Sequence, residues 1–339
     1  MAEDETAEAG AGPTRPGRAA AGPRRRWRWL PAGLPPRVVH APLATTGGRV
    51  WEAAEALAGF LSRCCRLADT AEGGGETTDE AEAVAEAVAE AEEGPAASGC
   101  ACAAVGRRLR RRGVRVLELG AGCGWLGLCL ARALPEAGLV VLTEQAGPAL
   151  RHTQRNVAAN RDGRVATAEL DWGVALAHPG RPVRVAPRRL RWKDGGKERA
   201  GEEGPGAGGS SYEFVPDGGE VSEFDVVLGS DLVYNDEGMR ALPRLLATLL
   251  AASPACLCLY AHTKRRFETL DVDFYNELAD AGLRVTELEA PGAPPRQASP
   301  PPLLERLEAG DLDATFPPKR VAVLRIERAV GKGRPEPYR

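Results

Sequence analysis

Four glycines follow an apolar run in the segment VLELGAGCGWLG, residues 116–127. Three of them match the G-x-G-x-x-G spacing of a dinucleotide-binding loop, in which amides at a helix N-terminus hold a pyrophosphate: Gly122, Gly124 and Gly127. However, Glu118 stands two residues before Gly120. A carboxylate there would repel phosphates and attract an ammonium or sulfonium group. The loop therefore favours a ligand with positive centres over a dinucleotide.

A second acid, Glu144, ends the next predicted strand, 20 residues after Gly124. An acid at this place accepts hydrogen bonds from the hydroxyls of a ribose. The alternative is an acid exposed at a strand end, with no ligand. We predict the ribose role because strand, loop and helix precede Glu144 in the required order. A dinucleotide and any other adenosine-containing cofactor would use such an acid equally.

A third group of polar residues occurs in LGSDLVYND, residues 228–236. Asp231 and Tyr234 follow the fourth predicted strand, which lies beside the first strand and therefore across from the glycine loop. They could line the place where a substrate meets the cofactor. Equally, an acid or Asn235 could cap the next helix while Tyr234 packs against it. The spacing leaves both interpretations open.

The elements that position these residues alternate regularly. Apolar runs predict seven strands, at 114–119, 139–144, 164–172, 224–231, 255–261, 283–289 and 320–326. Helical spacing predicts a turn followed by a helix over 45–61, and helices at 124–134, 146–160, about 236–252 and 264–282. Such alternation is typical of a mainly parallel sheet with helices on both faces, which binds ligands at the carboxyl ends of its strands. The last strand has no helix before it and is predicted to return antiparallel.

Three local predictions complete the element assignment. Gly127 is predicted to be a small residue that packs the first helix of the alternation against the sheet. Asn160 is predicted to cap the C-terminus of the second. The arginine-rich segment 107–113 is predicted to be an exposed lead-in to the first strand.

Composition limits the remaining classes of function. The chain has 339 residues, a formal net charge of −3, eight cysteines without a C-x-x-C pair and four histidines. These features argue against a zinc site, against any other metal site and against nucleic acid as a partner. The longest apolar runs are too short for a membrane span. We therefore expect a protein of the cytoplasm or nucleus with reduced thiols.

Low-complexity stretches set the expected domain limits. Residues 1–37 and 331–339 are predicted to be tails, the first of them disordered. A single domain is predicted over 38–330. Within it, acidic or Gly- and Pro-rich insertions are expected at about 63–112 and 173–222.

Four motifs occur in a specific order: TTGGRVWEAAEALAGFL (45–61), VLELGAGCGWLG (116–127), LDW (170–172) and DVVLGSDLVY (225–234). In this combination the sequence resembles the eukaryotic seven-strand protein-lysine N-methyltransferases, known as methyltransferase family 16, and within it the methyltransferase-like 21 group. The similarity covers roughly 45–61, 114–172 and 223–290.

The resemblance implies a class I methyltransferase fold. This is a Rossmann-like α/β domain with seven mostly parallel strands in the order 3-2-1-4-5-7-6, the last antiparallel, and with helices on both faces. It implies S-adenosyl-L-methionine as the cofactor, no metal, and the lysine side chain of a non-histone protein as the methyl acceptor. The protein is expected to be a monomer.

The resemblance also implies roles for residues at the cofactor's methionine end. Trp51 resembles a tryptophan that closes over that end, and Glu118, from its charge, is predicted to lie near the positive centres. The loop that contacts the cofactor corresponds to Gly120, Ala121 and Gly122.

Further positions match the family at the adenosine end and the acceptor side. Glu144 matches the ribose acid, which is usually Asp in the family. Trp172 matches a tryptophan beside the adenine, and Ser230 takes a small-residue position that touches the cofactor. Asp231 and Tyr234 match an acid-x-x-aromatic motif near the target amine, and are the predicted catalytic residues.

Three alternatives remain open from the sequence. The chain could be an NAD-binding Rossmann protein, although Glu118 and a seventh strand disfavour this. It could be a methyltransferase for a small molecule or nucleic acid, although DLVY lacks the Pro-Pro-aromatic run that many amide and adenine N-methyltransferases carry. It could also be a non-catalytic interaction module built on a methyltransferase fold.

Overall fold

A computed structural model of the chain describes residues 36–41, 46–72, 97–178, 180–193, 212–264, 270–288 and 320–329. The helices of these parts are α1 (Glu52–Glu72), α2 (Ala97–Leu109), α3 (Trp125–Ala133), α4 (Pro148–Asn160), α5 (Trp172–Leu176), α6 (Asp236–Ala252) and α7 (Leu270–Asp280). The strands are β1 (Arg115–Leu119), β2 (Leu139–Glu144), β3 (Val165–Glu169), β4 (Arg188–Trp192), β5 (Tyr212–Pro216), β6 (Val226–Ser230), β7 (Leu257–Lys264), β8 (Leu283–Leu288) and β9 (Arg320–Arg328). The strand boundaries shift by up to three residues from the predicted ones, as at the third strand, which ends before Trp172. The largest change is at α1, which ends at Glu72 and not at residue 61, so the insertion predicted from about residue 63 was placed too early.

All nine strands form one sheet, in the order β5-β4-β3-β2-β1-β6-β7-β9-β8. The strands β3, β2, β1, β6 and β7 are parallel, and β9 runs antiparallel between β7 and β8. The predicted α/β class, the order of the seven strands and the antiparallel last strand are confirmed.

The predicted number of strands was wrong, because β4 and β5 extend the sheet beyond β3. Both lie within 173–222, which the sequence predicted as a low-complexity insertion. Arg188 to Trp192 pair antiparallel with Tyr212 to Pro216, and Ala166 and Thr167 of β3 pair with β4. The strand β4 was not predicted because three of its five residues are arginines. Leu190 and Trp192 lie on one face of β4, and Arg189 and Arg191 lie on the other.

Each face of the sheet is covered by helices. Alternate residues of a strand point to opposite faces, so Val116 joins the apolar layer under α1 to α4 whereas Leu117 joins the layer under α6 and α7. In α6, leucines at three- and four-residue spacing form the buried stripe: Leu242, Leu245, Leu246, Leu249 and Leu250.

One local prediction was right only in part and another was wrong. Residues 110–113 are an exposed lead-in to β1, but residues 107–109 end α2, and Leu109 is buried in the core. Arg161, in the left-handed conformation, caps α4. Asn160 instead exchanges two hydrogen bonds with the backbone of Arg37, which the sequence had assigned to a tail. The tail segments 1–35 and 330–339 and the acidic stretch 73–96 lie outside the described residues.

Two negative observations hold for the described part of the chain. No helix there is long and apolar enough to cross a membrane. Its His, Cys, Asp and Glu side chains nowhere form a group of three that could hold a metal ion.

Candidate active site

A cavity of about 270 Å³ opens at the carboxyl ends of β1, β2 and β6. Its walls come from the segment before α1, the loop between β1 and α3, the end of β2, the start of α5 and the loop after β6. All ten residues that the sequence predicted for the site line this one cavity: Trp51, Glu118, Gly120, Ala121, Gly122, Glu144, Trp172, Ser230, Asp231 and Tyr234. The elements therefore bring the predicted residues together, although their individual roles stay predictions.

The glycine loop needs its glycines for backbone conformation and for close approach. Gly120, Gly122 and Gly124 all have left-handed φ values, of 54°, 57° and 76°, which other residues adopt only with strain. A Cβ on Gly122 would also lie 3.4 Å from the backbone of Gly47. The loop thus presents bare backbone to the cavity.

Gly127 has a packing role, as the sequence predicted. A Cβ at this position would overlap Leu142 of β2 and lie 2.6 Å from Oε2 of Glu118. The glycine lets α3 approach the sheet closely enough for its own amide to donate a hydrogen bond of 2.8 Å to Glu118. The match to a dinucleotide motif at Gly127 therefore has a structural explanation.

Glu118 is a carboxyl group that is nearly withdrawn from water. Its residue is 3% exposed, yet it lines the cavity. Burial raises its pKa to about 8, the hydrogen bond from Gly127 opposes this, and the nearby charge of Glu144 adds to the rise. A cation entering the cavity would stabilise the ionised form of this group.

Glu144 holds the loop as well as facing the cavity. Its Oε1 accepts a 2.6 Å hydrogen bond from the amide of Gly122, and Oε2 accepts a weaker one, 3.3 Å, from Gln145. Burial raises the pKa of Glu144 above its usual value. The longer side chain of Glu, compared with the Asp usual in the resembled family, reaches the loop amide directly.

Two tryptophans line the cavity, one from the segment before α1 and one from the start of α5. The guanidinium of Arg49 stacks over the ring of Trp51 at 4.1 Å from its centroid, a cation–π contact. Trp172 begins α5, where Asp171 caps the helix by accepting a hydrogen bond from Val174. Both indoles are half-buried, so neither is simply a core residue.

The loop after β6 holds the two predicted catalytic residues. Asp231 has a φ of 52°, and its Oδ1 accepts a hydrogen bond from the amide of Thr263. Tyr234 is 51% exposed at the rim of the cavity. Asn235 is the N-cap of α6, because its side chain accepts from the amide of Gly238. The capping alternative that the sequence left open for Asp231 therefore does not apply.

Sequence reasoning missed the residues that support the loop from α4. The hydroxyl of Thr153 donates to the carbonyl of Gly122, and the amide of Asn156 donates to the carbonyl of Cys123 at 2.8 Å. Arg49 was missed as well. A buried polar stripe at Thr153 and Asn156, one helical turn apart, was the available signal.

Most of the chain matches one known protein family. The model of a family described as "Lysine methyltransferase" matches residues 41–181 and 212–281. The chain belongs to this lysine methyltransferase family. The matched ranges cover more than half of the chain and contain all ten site residues, and they leave out 182–211, which includes β4. Family membership removes the NAD-binding alternative. Among curated protein sequences, none matches this methyltransferase.

Solved structures of methyltransferases are similar to it in outline. A ribosomal protein L11 methylase from Lactobacillus delbrueckii subsp. bulgaricus has 12% identity and a TM-score of 0.35, covering 70% of this chain and 80% of its own. A methyltransferase from Pyrococcus furiosus has 14% identity and a TM-score of 0.35, covering 65% and 77%. A precorrin-6y C5,15-methyltransferase from Geobacter metallireducens GS-15 has 12% identity and a TM-score of 0.30, covering 66% and 84%.

The family and fold imply S-adenosyl-L-methionine as cofactor, and the residues of the cavity fit it. A buried carboxyl, Glu118, suits the ammonium or sulfonium, and Glu144 suits the ribose hydroxyls. The guanidinium of Arg49 would suit the ligand's carboxylate, and Trp51 and Trp172 offer aromatic surface in the same cavity. Backbone without side chains at 120–122 allows close approach.

Proposed function

We propose that this methyltransferase transfers a methyl group from S-adenosyl-L-methionine to the side-chain amine of a lysine in a non-histone protein. The observation that carries the proposal is the position of Asp231 and Tyr234 in the same cavity as the glycine loop, in a chain of the lysine methyltransferase family. The cofactor, when bound, supplies a methyl group already activated by its sulfonium.

The chain's own residues orient the acceptor. A lysine amine has an ordinary pKa of about 10.4 and must lose a proton before it can attack. Oδ1 of Asp231 accepts a hydrogen bond from the amide of Thr263. The second carboxylate oxygen, Oδ2, is available to accept a hydrogen bond from the lysine amine. The transfer needs the amine and the methyl group about 3–3.5 Å apart and aligned. Asp231 sets that alignment, and Tyr234 narrows the entrance.

The rim of the cavity provides space for a polypeptide. Tyr234 is exposed there, and a shallow groove between α5 and α6 adjoins it, lined by Gly173, Leu176, Glu237, Arg240 and Arg244 among others. A polypeptide acceptor would have room in this groove for the residues beside its target lysine.

The test is to label a methylation-deficient cell lysate with radioactive cofactor and to identify the labelled acceptor by mass spectrometry. We expect label on a lysine of one or a few proteins. Labelling should be absent without enzyme. Label confined to RNA or to small molecules would contradict the proposal.

A further inference from the structure

Tyr260 lies outside the cavity but contacts the loop that carries the predicted catalytic residues. It belongs to β7 and is 2% exposed. Its hydroxyl oxygen accepts hydrogen bonds from two consecutive backbone amides, those of Leu232 at 2.9 Å and Val233 at 3.2 Å. These are the two residues between Asp231 and Tyr234.

The rest of the loop is also held by the end of β7. The amide of Asp231 donates to the carbonyl of Ala261 at 3.0 Å, and the amide of Thr263 donates to Oδ1 of Asp231 at 3.2 Å. Asp231 keeps a left-handed φ between these contacts. A strained residue persists only where its surroundings fix it. Here the fixing groups include the Tyr260 hydroxyl, which captures the chain directly after the strained residue.

Leu232 connects the loop after β6 with the glycine loop. A Cβ on Gly120 would lie 2.5 Å from Cδ2 of Leu232, and one on Gly229 would lie 2.9 Å from Cδ1. The leucine therefore wedges between β6 and the glycine loop. The amide of Leu232 donates a hydrogen bond to the hydroxyl oxygen of Tyr260. The same hydroxyl therefore fixes the position of Leu232 and of the adjacent Asp231.

We propose that Tyr260 is a positioning residue, whose hydroxyl fixes Asp231 relative to the glycine loop and so sets the rate of methyl transfer. This proposal rests on the proposed function. The ring of Tyr260 is itself held, with centroids 5.6 Å from Phe274 and 5.7 Å from His262. The hydroxyl oxygen, which can accept two hydrogen bonds, is thus presented in a fixed place.

The test is Tyr260→Phe, which removes one oxygen and keeps the ring. At saturating cofactor, the plateau rate of methyl transfer to lysate protein should fall about 10- to 100-fold, since small displacements of a reacting group have effects of this size. The dissociation constant for S-adenosylhomocysteine should rise much less than the rate falls, by no more than about fivefold, because Tyr260 reaches the glycine loop only through Leu232 and does not itself line the cavity. Phe60→Leu is the control: Phe60 is as buried as Tyr260 but belongs to the apolar layer on the other face of the sheet, so its loss should lower the melting temperature while the plateau rate stays unchanged.

A second readout is independent of any acceptor. Amide hydrogen exchange should show that Leu232 and Val233 lose protection in Tyr260→Phe but keep it in Phe60→Leu. If the wild type labels no protein, the proposed function fails, and this exchange measurement still decides the placement of the loop. Unchanged protection, or a plateau rate equal to that of the wild type, would overturn the role of Tyr260.

Discussion

At the scale of single residues, Asp231 carries the sharpest prediction. Asp231→Asn keeps a residue that tolerates the left-handed conformation and keeps an oxygen for the amide of Thr263, but it removes the charge. We expect methyl transfer to fall about 100-fold or more, in the range typical for a lost acid or base. Cofactor affinity, measured by calorimetry, should be unchanged.

Asp273 provides the comparison for this variant. It is an exposed acid of α7 and lines neither the cavity nor the groove beside it. Asp273→Asn should leave the transfer rate within about twofold, since exposed charges contribute little. Equal rates for Asp231→Asn and the wild type would remove Asp231 from the mechanism.

Glu118 makes stability depend on pH. Its pKa rises from 4.5 to about 8 on folding, so between these values the folded protein keeps a proton that the unfolded chain has lost. The contribution of Glu118 to the free energy of unfolding is therefore greatest below pH 4.5 and falls as the pH rises towards 8. Above pH 8 this contribution no longer changes with pH. Urea unfolding at several pH values should show this slope in the wild type and its loss in Glu118→Gln.

The same group links cofactor binding to pH. A positive ligand favours the ionised carboxylate, so binding below pH 8 must release the proton. The ratio of wild-type to Glu118→Gln affinity for S-adenosyl-L-methionine should therefore increase between pH 6 and pH 8. Calorimetry in buffers of different ionisation enthalpy measures the released proton directly. A constant ratio would show that Glu118 does not face the positive centres.

At the scale of elements, the packing of α3 on β2 depends on Gly127. Gly127→Ala would force a methyl group against Leu142 and Glu118, and overpacking of this kind costs about 1–3 kcal/mol. We expect a lower melting temperature together with weaker cofactor binding, because α3 carries the amide that holds Glu118. Gly163→Ala, where nothing lies within 4 Å of the added Cβ, should leave both unchanged.

The elements around the site could be predicted from sequence because they have strong patterns. Two apolar runs, which end at Leu119 and Glu144, predicted the strands. The glycines after the first run predicted the glycine loop at the carboxyl end of β1. Contacts made by side chains to backbone, such as Thr153 to Gly122 and Tyr260 to Leu232, have no comparable pattern. They depend on how α4 and β7 are placed in three dimensions, which spacing along one element does not reveal.

The two extra strands were missed for a different reason. Residues in β4 alternate, but one face carries Arg189 and Arg191, and β4 begins at a third arginine, so the segment has the composition of a polar loop. Arg189 pairs with Asp217, and the guanidinium of Arg161 stacks over Trp192. Partners distant in sequence thus stabilise a charged strand between β3 and the edge strand β5.

At the scale of the whole molecule, β4 and β5 allow a test of the segment that joins them. Trp192 and Tyr212 are paired across the two strands, so residues 193–211 can be replaced by Asn-Gly, which favours a tight two-residue hairpin turn. Shortening the connection should stabilise the protein by about 1–2 kcal/mol through lower loop-closure entropy. Cofactor affinity should not change, and a loss would assign that segment to the site.

The contact between residues 37–39 and α4 has a consequence for how this part of the chain can vary. Asn160 exchanges two hydrogen bonds with the main chain of Arg37, and Asn156 does the same with Val39. Four residues of helix rise about 6 Å, and two residues of extended chain advance about 6.6 Å, so the two repeats coincide. The asparagines thus recognise peptide groups and not side chains. Substitutions at positions 37 and 39 are therefore compatible with this contact, provided that neither residue becomes proline. Asn156 and Asn160, in contrast, cannot be replaced without losing hydrogen bonds, because each side chain both donates to and accepts from the main chain.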